Sequence, residues 1–368
     1  MNRVWFSLLL SVMLTASSCK NSVDFEHERS LIEAEIDLIT QAHFEKNAVL
    51  FYQPYANSWI DIRNGSIKEV TKENQVEGTK SYLNSMEFQQ MEFTKAPIIE
   101  ISNDGTLATY SNTVIVKGLL QGEPLFWVVA WQNVLRKTED KWQIISAVNT
   151  EATPSISAET ILDQVRSSLG LNDPVTSVFA MANCTDPEGN AFKTLIMSTA
   201  ANGRMEQQSG ARHSILKHGS SSWGYNVNTQ NLHDSLAIGM QIFAKSHELH
   251  WLSMYPETRY NNATYNGIID FNGLKVFKIS FTDDAQKSVN FYYAFDSYLP
   301  IAFDIEVDDM GNTVATYFEN WDTLNGVSVF KNATFDQGGL LFKYHFSEIV
   351  LNSLKDHDLE SKKAVITN

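Results

Sequence analysis

Pro97-Ile98-Ile99-Glu100-Ile101-Ser102, followed by Asn103-Asp104-Gly105 and then Thr106-Leu107-Ala108, decides how the first half of the chain is read. A β-rich run meets a turn signal whose Gly tolerates a left-handed backbone, and a second apolar run follows. The same pattern continues downstream. Leu107 to Leu119, Leu125 to Arg136 and Trp142 to Val148 are strand-like segments that predict an antiparallel meander. Upstream the period changes. Leu31, Ile32, Ile36, Ile39 and Phe44 recur every three to four residues with acidic residues between them, which predicts an amphipathic helix. Phe51 to Trp59 is aromatic-rich and suggests a short helix or turn. Trp59 to Arg63 reads as a strand ending at Asn64-Gly65, and Thr71 as the N-cap of a helix reaching about Asn84. Helices followed by a run of strands give an α+β class.

Taken in order, several pieces resemble the NTF2/SnoaL-like (DUF4440-type) family over roughly residues 28–150. They are Ala42-His43-Phe44, the Pro97–Ala108 stretch, Ala130-Trp131 and Lys141-Trp142-Gln143-Ile144. The resemblance implies a curved sheet wrapped round helices, with a conical pocket between them. Its members include isomerases, dehydratases and non-catalytic binders, so the fold leaves function open.

Polar, Ser- and Thr-rich Asn149 to Ser157, containing Pro154, marks a seam near residue 155. Beyond it, segments from Thr176 to Ile349 read mostly as strands. One helix is expected, carrying Leu232, Leu236, Met240 and Phe243 on one stripe. Lys275 to Phe281, Phe291 to Asp296 and Leu299-Pro300 resemble the LolA-like lipoprotein-sorting half-barrels. That resemblance implies a curved antiparallel sheet with a helix, and lipid or lipoprotein binding. The expected organisation is a signal peptide over 1–18, a tether over 19–28, an NTF2/SnoaL-like domain over 29–153, a β-rich domain over 156–355 and a polar tail over 356–368.

The first residues point to export. Arg3 precedes the apolar run Val4 to Leu14, and Ala16-Ser17-Ser18-Cys19 follows. The small residues before Cys19 resemble a bacterial lipobox, with Ala16 where that box usually has Leu. This implies acylation (palmitate) on Cys19 and a lipid-anchored protein of the bacterial envelope, on the periplasmic side or at the outer membrane. An ordinary signal peptide with an incidental Cys is the alternative. Cys184, the only other cysteine, then has no partner in the chain and reads as a small buried apolar residue.

The 368 residues carry a net charge of −15 without a basic cluster, which argues against a nucleic-acid partner. No phosphate loop, hydrolase elbow or metal-ligand spacing is present, so no cofactor and no metal are expected. His247-Glu248-Leu249-His250 has its histidines three apart rather than four, and reads as a polar helix end. The pocket residues suggested by the cone are His43, Tyr52, Tyr55, Trp59, Asp61, Trp127 and Trp131, an aromatic wall with a polar handle that suits a small apolar ligand. Each has a plainer reading. A lone His on an apolar helix face is often a satisfied core residue, and a Trp pair often belongs to a core or a homodimer interface. Three functions remain open: a tethered, non-catalytic binding lipoprotein; a SnoaL-type isomerase, dehydratase or hydrolase using His43 or Asp61 as base; and lipid or lipoprotein binding by the second domain.

Overall fold

The computed structural model describes residues 23–63, 65–151, 156–307 and 312–367. Cys19 and the signal-like segment lie outside them. The chain forms two compact units, Met1–Ser155 and Ile156–Asn368.

The first unit opens with α1 (Phe25–Phe44), started by Asp24, whose side chain accepts from the His27 amide. Its stripe of Ile32, Ile36 and Ile39 is almost fully buried, each side chain contributing about 1.5–3 kcal/mol. Glu28 fixes the start of the helix to the sheet. Its carboxylate accepts from Lys137 Nζ at 2.6 Å and from Trp142 Nε1 at 2.8 Å. A short α2 (Ala48–Phe51) is capped by Asn47. Next come β1 (Tyr55–Arg63), β2 (Ser66–Thr71), α3 (Lys72–Ser85), β3 (Met86–Phe93), β4 (Ile98–Ile101), β5 (Leu107–Leu120), β6 (Glu123–Thr138) and β7 (Lys141–Glu151). Thr71 caps α3 through the Asn74 amide, as its sequence position suggests.

The sheet order is β2-β1-β7-β6-β5-β3, with β4 paired to the start of β5. All pairs are antiparallel except β1–β7, which is parallel. Register shifts in β1, β3 and β7 bend the strands, because an extra residue on one strand increases local twist. β2 and β3 were not evident from the sequence. Their burial is weak and irregular, so neither shows clean period-2 alternation.

The second unit begins with α4 (Ala158–Ser168), capped by Ser157. It is built on a 13-stranded antiparallel sheet running β13-β12-β11-β10-β9-β8-β20-β19-β18-β17-β16-β15-β14. Its ends are different strands, so the sheet stays open. Its strands are β8 (Ser177–Thr185), β9 (Ala191–Thr199), β10 (Gly203–Ser209), β11 (Arg212–His218), β12 (Trp223–Asn226), β13 (Asn231–His233), β14 (Asn261–Phe271), β15 (Leu274–Thr282), β16 (Ser288–Ala294), β17 (Pro300–Glu306), β18 (Thr313–Leu324), β19 (Val327–Gln337) and β20 (Leu340–Leu351). Two helices, α5 (Ile238–Ser246) and α6 (Leu249–Met254), interrupt the meander. The fold is thus α+β in both units.

Three sequence expectations change here. The stripe Leu232-Leu236-Met240-Phe243 does not form one helix: Leu232 lies in β13, and α5 starts only at Ile238. His247 does stand at a helix end, as the C-cap of α5, but His247 to His250 is not a solvated polar segment. His247, Glu248 and His250 are all buried, with partners supplied by carbonyls and by Arg259. Residues 356–367, read as part of a polar tail, are docked. Leu359, on α7 (Asp356–Leu359), and Ile366 are buried against Leu195 and Met197. The buried Glu206 carboxylate accepts from the Val365 and Ile366 amides. Hydrophobic positions spaced seven apart were too sparse to show this in the sequence.

Candidate ligand-binding site

A cavity of about 630 Å³ opens between α1, α2, α3 and the sheet of the first unit. All seven pocket residues suggested by the sequence line it: His43, Tyr52, Tyr55, Trp59, Asp61, Trp127 and Trp131. Local structure explains the convergence. His43 is in the last turn of α1. Tyr52 and Tyr55 flank the step from α2 into β1, and Trp59, Asp61 and Arg63 alternate along one face of β1. Trp127 and Trp131 share a face of β6, four residues apart.

One end of the cavity is aromatic. Tyr52 and Tyr55 both pack on Trp59, with ring centroids 5.3 and 4.7 Å away. The Tyr52 hydroxyl is 2.7 Å from Thr79 Oγ1 on α3. Burial raises the Tyr52 phenol above its ordinary range and raises Tyr55 further, so both are protonated hydrogen-bonding groups at neutral pH. His43 is enclosed by Phe51, Phe88 and Trp131 at 5.2, 5.0 and 6.5 Å. Its Nδ1 lies 2.7 Å from the Ile39 carbonyl. A carbonyl only accepts, so Nδ1 carries the proton and Nε2 is left as an acceptor. Burial lowers the His43 pKa, which keeps the ring neutral.

The other groups were missed in the sequence. Arg63, Asn133 and Asn149 also line the cavity, as do Gln75 and Thr79 from α3. The parallel β1–β7 pair sets Arg63 beside Asn149 and Asp61 beside Ala147. The β6–β7 pair sets Trp131 beside Asn149 and Asn133 beside Ala147. The polar pair Gln132-Asn133 inside the apolar Leu125–Leu135 run was the available signal. The partnership with β1 lies too far along the chain for spacing to show.

Neither Cys184 nor the second-unit histidines form a comparable site. Cys184 is buried, and burial raises its thiol to about 12, an unreactive state. His250 bonds the Phe330 carbonyl at 2.9 Å and stacks on that ring at 4.0 Å. Among the described residues no group of three or more His, Cys, Asp or Glu could hold a metal ion, and no helix is long and apolar enough to cross a membrane.

No family model matches the sequence, and no curated protein matches it. Similar solved structures include an NTF2-like protein from Cytophaga hutchinsonii, 16% identical with a TM-score of 0.29, covering 33% of this chain and 97% of that one. The ketosteroid isomerase-like protein from Erwinia carotovora atroseptica is 16% identical with a TM-score of 0.30, covering 34% and 96%. The LolA superfamily protein from Nitrosomonas europaea is 13% identical with a TM-score of 0.41, covering 56% and 98%. Both folds that the sequence resembles are represented among these structures.

Proposed function

We propose that the first unit binds a small, mostly apolar ligand with one polar end, and that the protein is a non-catalytic binding lipoprotein held in the bacterial envelope by acylation of Cys19. The cavity carries the reading: about 630 Å³, walled by aromatic rings from α2, β1 and β6, with polar side chains gathered at β1, β6 and β7. The test uses a plug. Gly78 on α3 lines the cavity, and a Cβ placed there meets nothing within 4 Å. Gly78→Phe therefore starts from an open Cβ position and adds a ring at the cavity wall. Equilibrium dialysis of the full chain against naphthalene should show saturable retention, lost in Gly78→Phe with an unchanged circular dichroism spectrum. Retention that survives the plug sinks the reading. The anchor rests on the lipobox-like Ala16-Ser17-Ser18-Cys19 alone. Incorporation of labelled palmitate that persists in Cys19→Ser refutes it.

A second reading, an enzyme with His43 as general base, is favoured by the neutral imidazole whose Nε2 remains an acceptor at the cavity wall. Turnover lost in His43→Gln with ligand retention intact would support it. Retention without turnover leaves the binding reading.

A further inference from the structure

Residues 356–367 lie along one face of β9, β10 and β11 in the second unit, held as a bound peptide is held. Register puts Met197, Arg204 and Lys217 in one lateral row of that face and Leu195, Glu206 and Ile215 in the next. Lys193 and His213 share a third row. These side chains grip the segment largely by its main chain. Glu206 accepts from the Val365 and Ile366 amides at 3.0 and 2.9 Å. Arg204 Nη2 donates to the Lys363 carbonyl at 2.9 Å, and Lys193 Nζ to the Thr367 carbonyl at 3.2 Å. Such contacts read an extended backbone whatever residues it carries, and sockets for side chains add the selectivity. Leu359 and Ile366 fill one apolar socket with Leu195 and Met197. Asp356 accepts from Thr199 Oγ1 at 2.6 Å and from Asn202 Nδ2 at 3.0 Å. Glu360 accepts from Lys217 Nζ at 2.7 Å and from Trp223 Nε1 at 3.4 Å.

Charge and incomplete bonding set this contact apart from an ordinary core. With the segment in place the Arg204 and Lys217 side chains are sealed from solvent, yet the carboxylate on Lys217 belongs to the segment and is itself 48% exposed. With the segment lifted, those rows carry Lys193, Arg204 and Lys217 against Glu206, a positive trough on a chain of net charge −15. A trough of that sign draws in an acidic polypeptide. Arg204 is also poorly served. Its Nε is buried without an acceptor, and Nη1 meets the Met197 sulfur, a weak one. Leu359 and Ile366 are the segment's buried apolar side chains, little to set against the entropy of ordering its whole length. A segment held in this way opens locally at a lower free energy than the strands it covers.

We propose that this face is a docking groove for an extended acidic peptide of a partner protein, of the pattern Asp-x-x-Leu-Glu-x-x-x-x-x-Ile, and that residues 356–366 fill it in cis as a removable stand-in. The groove is independent of the cavity in the first unit. Three fluorescent peptides test it by anisotropy against the full chain. One has the sequence of residues 355–368. The second keeps only the Asp, Leu, Glu and Ile at their spacing, with Ala and Ser elsewhere. The third is the second with Asn and Gln in place of its acids. The first two should bind saturably with similar affinity, and the third about tenfold more weakly, since its charge-assisted bonds are lost. Only chains whose own segment has lifted can bind, so Leu359→Asp in the chain should strengthen binding about tenfold or more. Should that variant fail to fold, hydrogen exchange on the unaltered chain decides. The Val365 and Ile366 amides should exchange about tenfold or more faster than those of β10. Exchange at the β10 rate means that the segment leaves only on global unfolding, and overturns the proposal. So does equal binding of the second and third peptides, binding of the first alone, or binding of none to a folded Leu359→Asp chain. Dimers of the unaltered chain that excess peptide dissolves assign the groove to a second copy and overturn the partner.

Discussion

Replacing Gly203 by alanine should destabilise the second unit severely, although Gly→Ala at a compatible site usually gains about 0.4–1 kcal/mol by restricting the unfolded chain. Gly203 opens β10 opposite His218 on β11. A Cβ there would lie 2.2 Å from His218 Nε2 and 2.5 Å from Glu248 Oε1. Neither group can step aside. His218 Nε2 is hydrogen-bonded to Glu248 Oε1, and Arg259 grips both carboxylate oxygens at 2.9 and 2.8 Å. Arg259 is itself held by the Ala200 and Thr199 carbonyls at 2.9 and 2.6 Å. All three side chains are buried, with Glu248 only 1% exposed. Separating a buried ion pair leaves an uncompensated charge and costs about 3–5 kcal/mol, several times the entropic gain. With a urea slope of about 2–3 kcal/mol per molar, the midpoint should fall by roughly 1–2 M. Circular dichroism in urea reads the midpoint, and amide hydrogen exchange in β10 and β11 assigns the loss to this region. Gly78→Ala is the matched control. It lies inside α3 with nothing within 4 Å of the new Cβ, so a gain of about 0.5–1 kcal/mol is expected. A Gly203→Ala midpoint equal to or above that of the parent chain would refute the reasoning.

Stability should fall on acidification in two stages. Burial lowers His247 and His250 from 6.5 to about 4. The unfolded chain therefore binds their protons first, and their contribution, complete above pH 6.5, is lost as pH falls towards 4. His250→Leu should flatten the dependence of the urea midpoint in that window, and an unchanged slope would count against the assignment. Burial opposes ionisation of Glu248, but Arg259 and His218 outweigh it and hold the carboxyl at about 2. Its contribution is present above about pH 4.5 and disappears between there and 2, so Glu248→Gln should lose that lower limb. Leu359→Ala should cost about 2–4 kcal/mol in urea unfolding, because Leu359 is fully buried against Leu195 and Met197. A cost under about 0.5 kcal/mol would show that residues 356–367 are held by hydrogen bonds alone.

Much of the first unit was legible because its elements are strongly periodic. The Ile32-Ile36-Ile39 stripe, the Thr71 cap and the strands around Asn103-Asp104-Gly105 each carry a local signal, and the aromatic members of the cavity follow from their places on those elements. The weakly patterned strands β2, β3 and β14 were not legible, nor was the start of α5, since a loop carrying Leu236 mimics helical spacing. Burial of Glu248, Arg259 and Glu206 was hidden for a different reason. A charged residue reads as surface until its partner is known, and here the partners come from other elements of the fold or from the C-terminal segment. The sequence by itself determined the strongly periodic elements and which side chains each presents on its apolar face, because both depend on neighbours within a few residues. Only the tertiary structure decided that Arg63 and Asn149 are neighbours and that Asn149 stands beside Trp131. The parallel pairing of β1 with β7 joins segments more than eighty residues apart, and no local period records that contact.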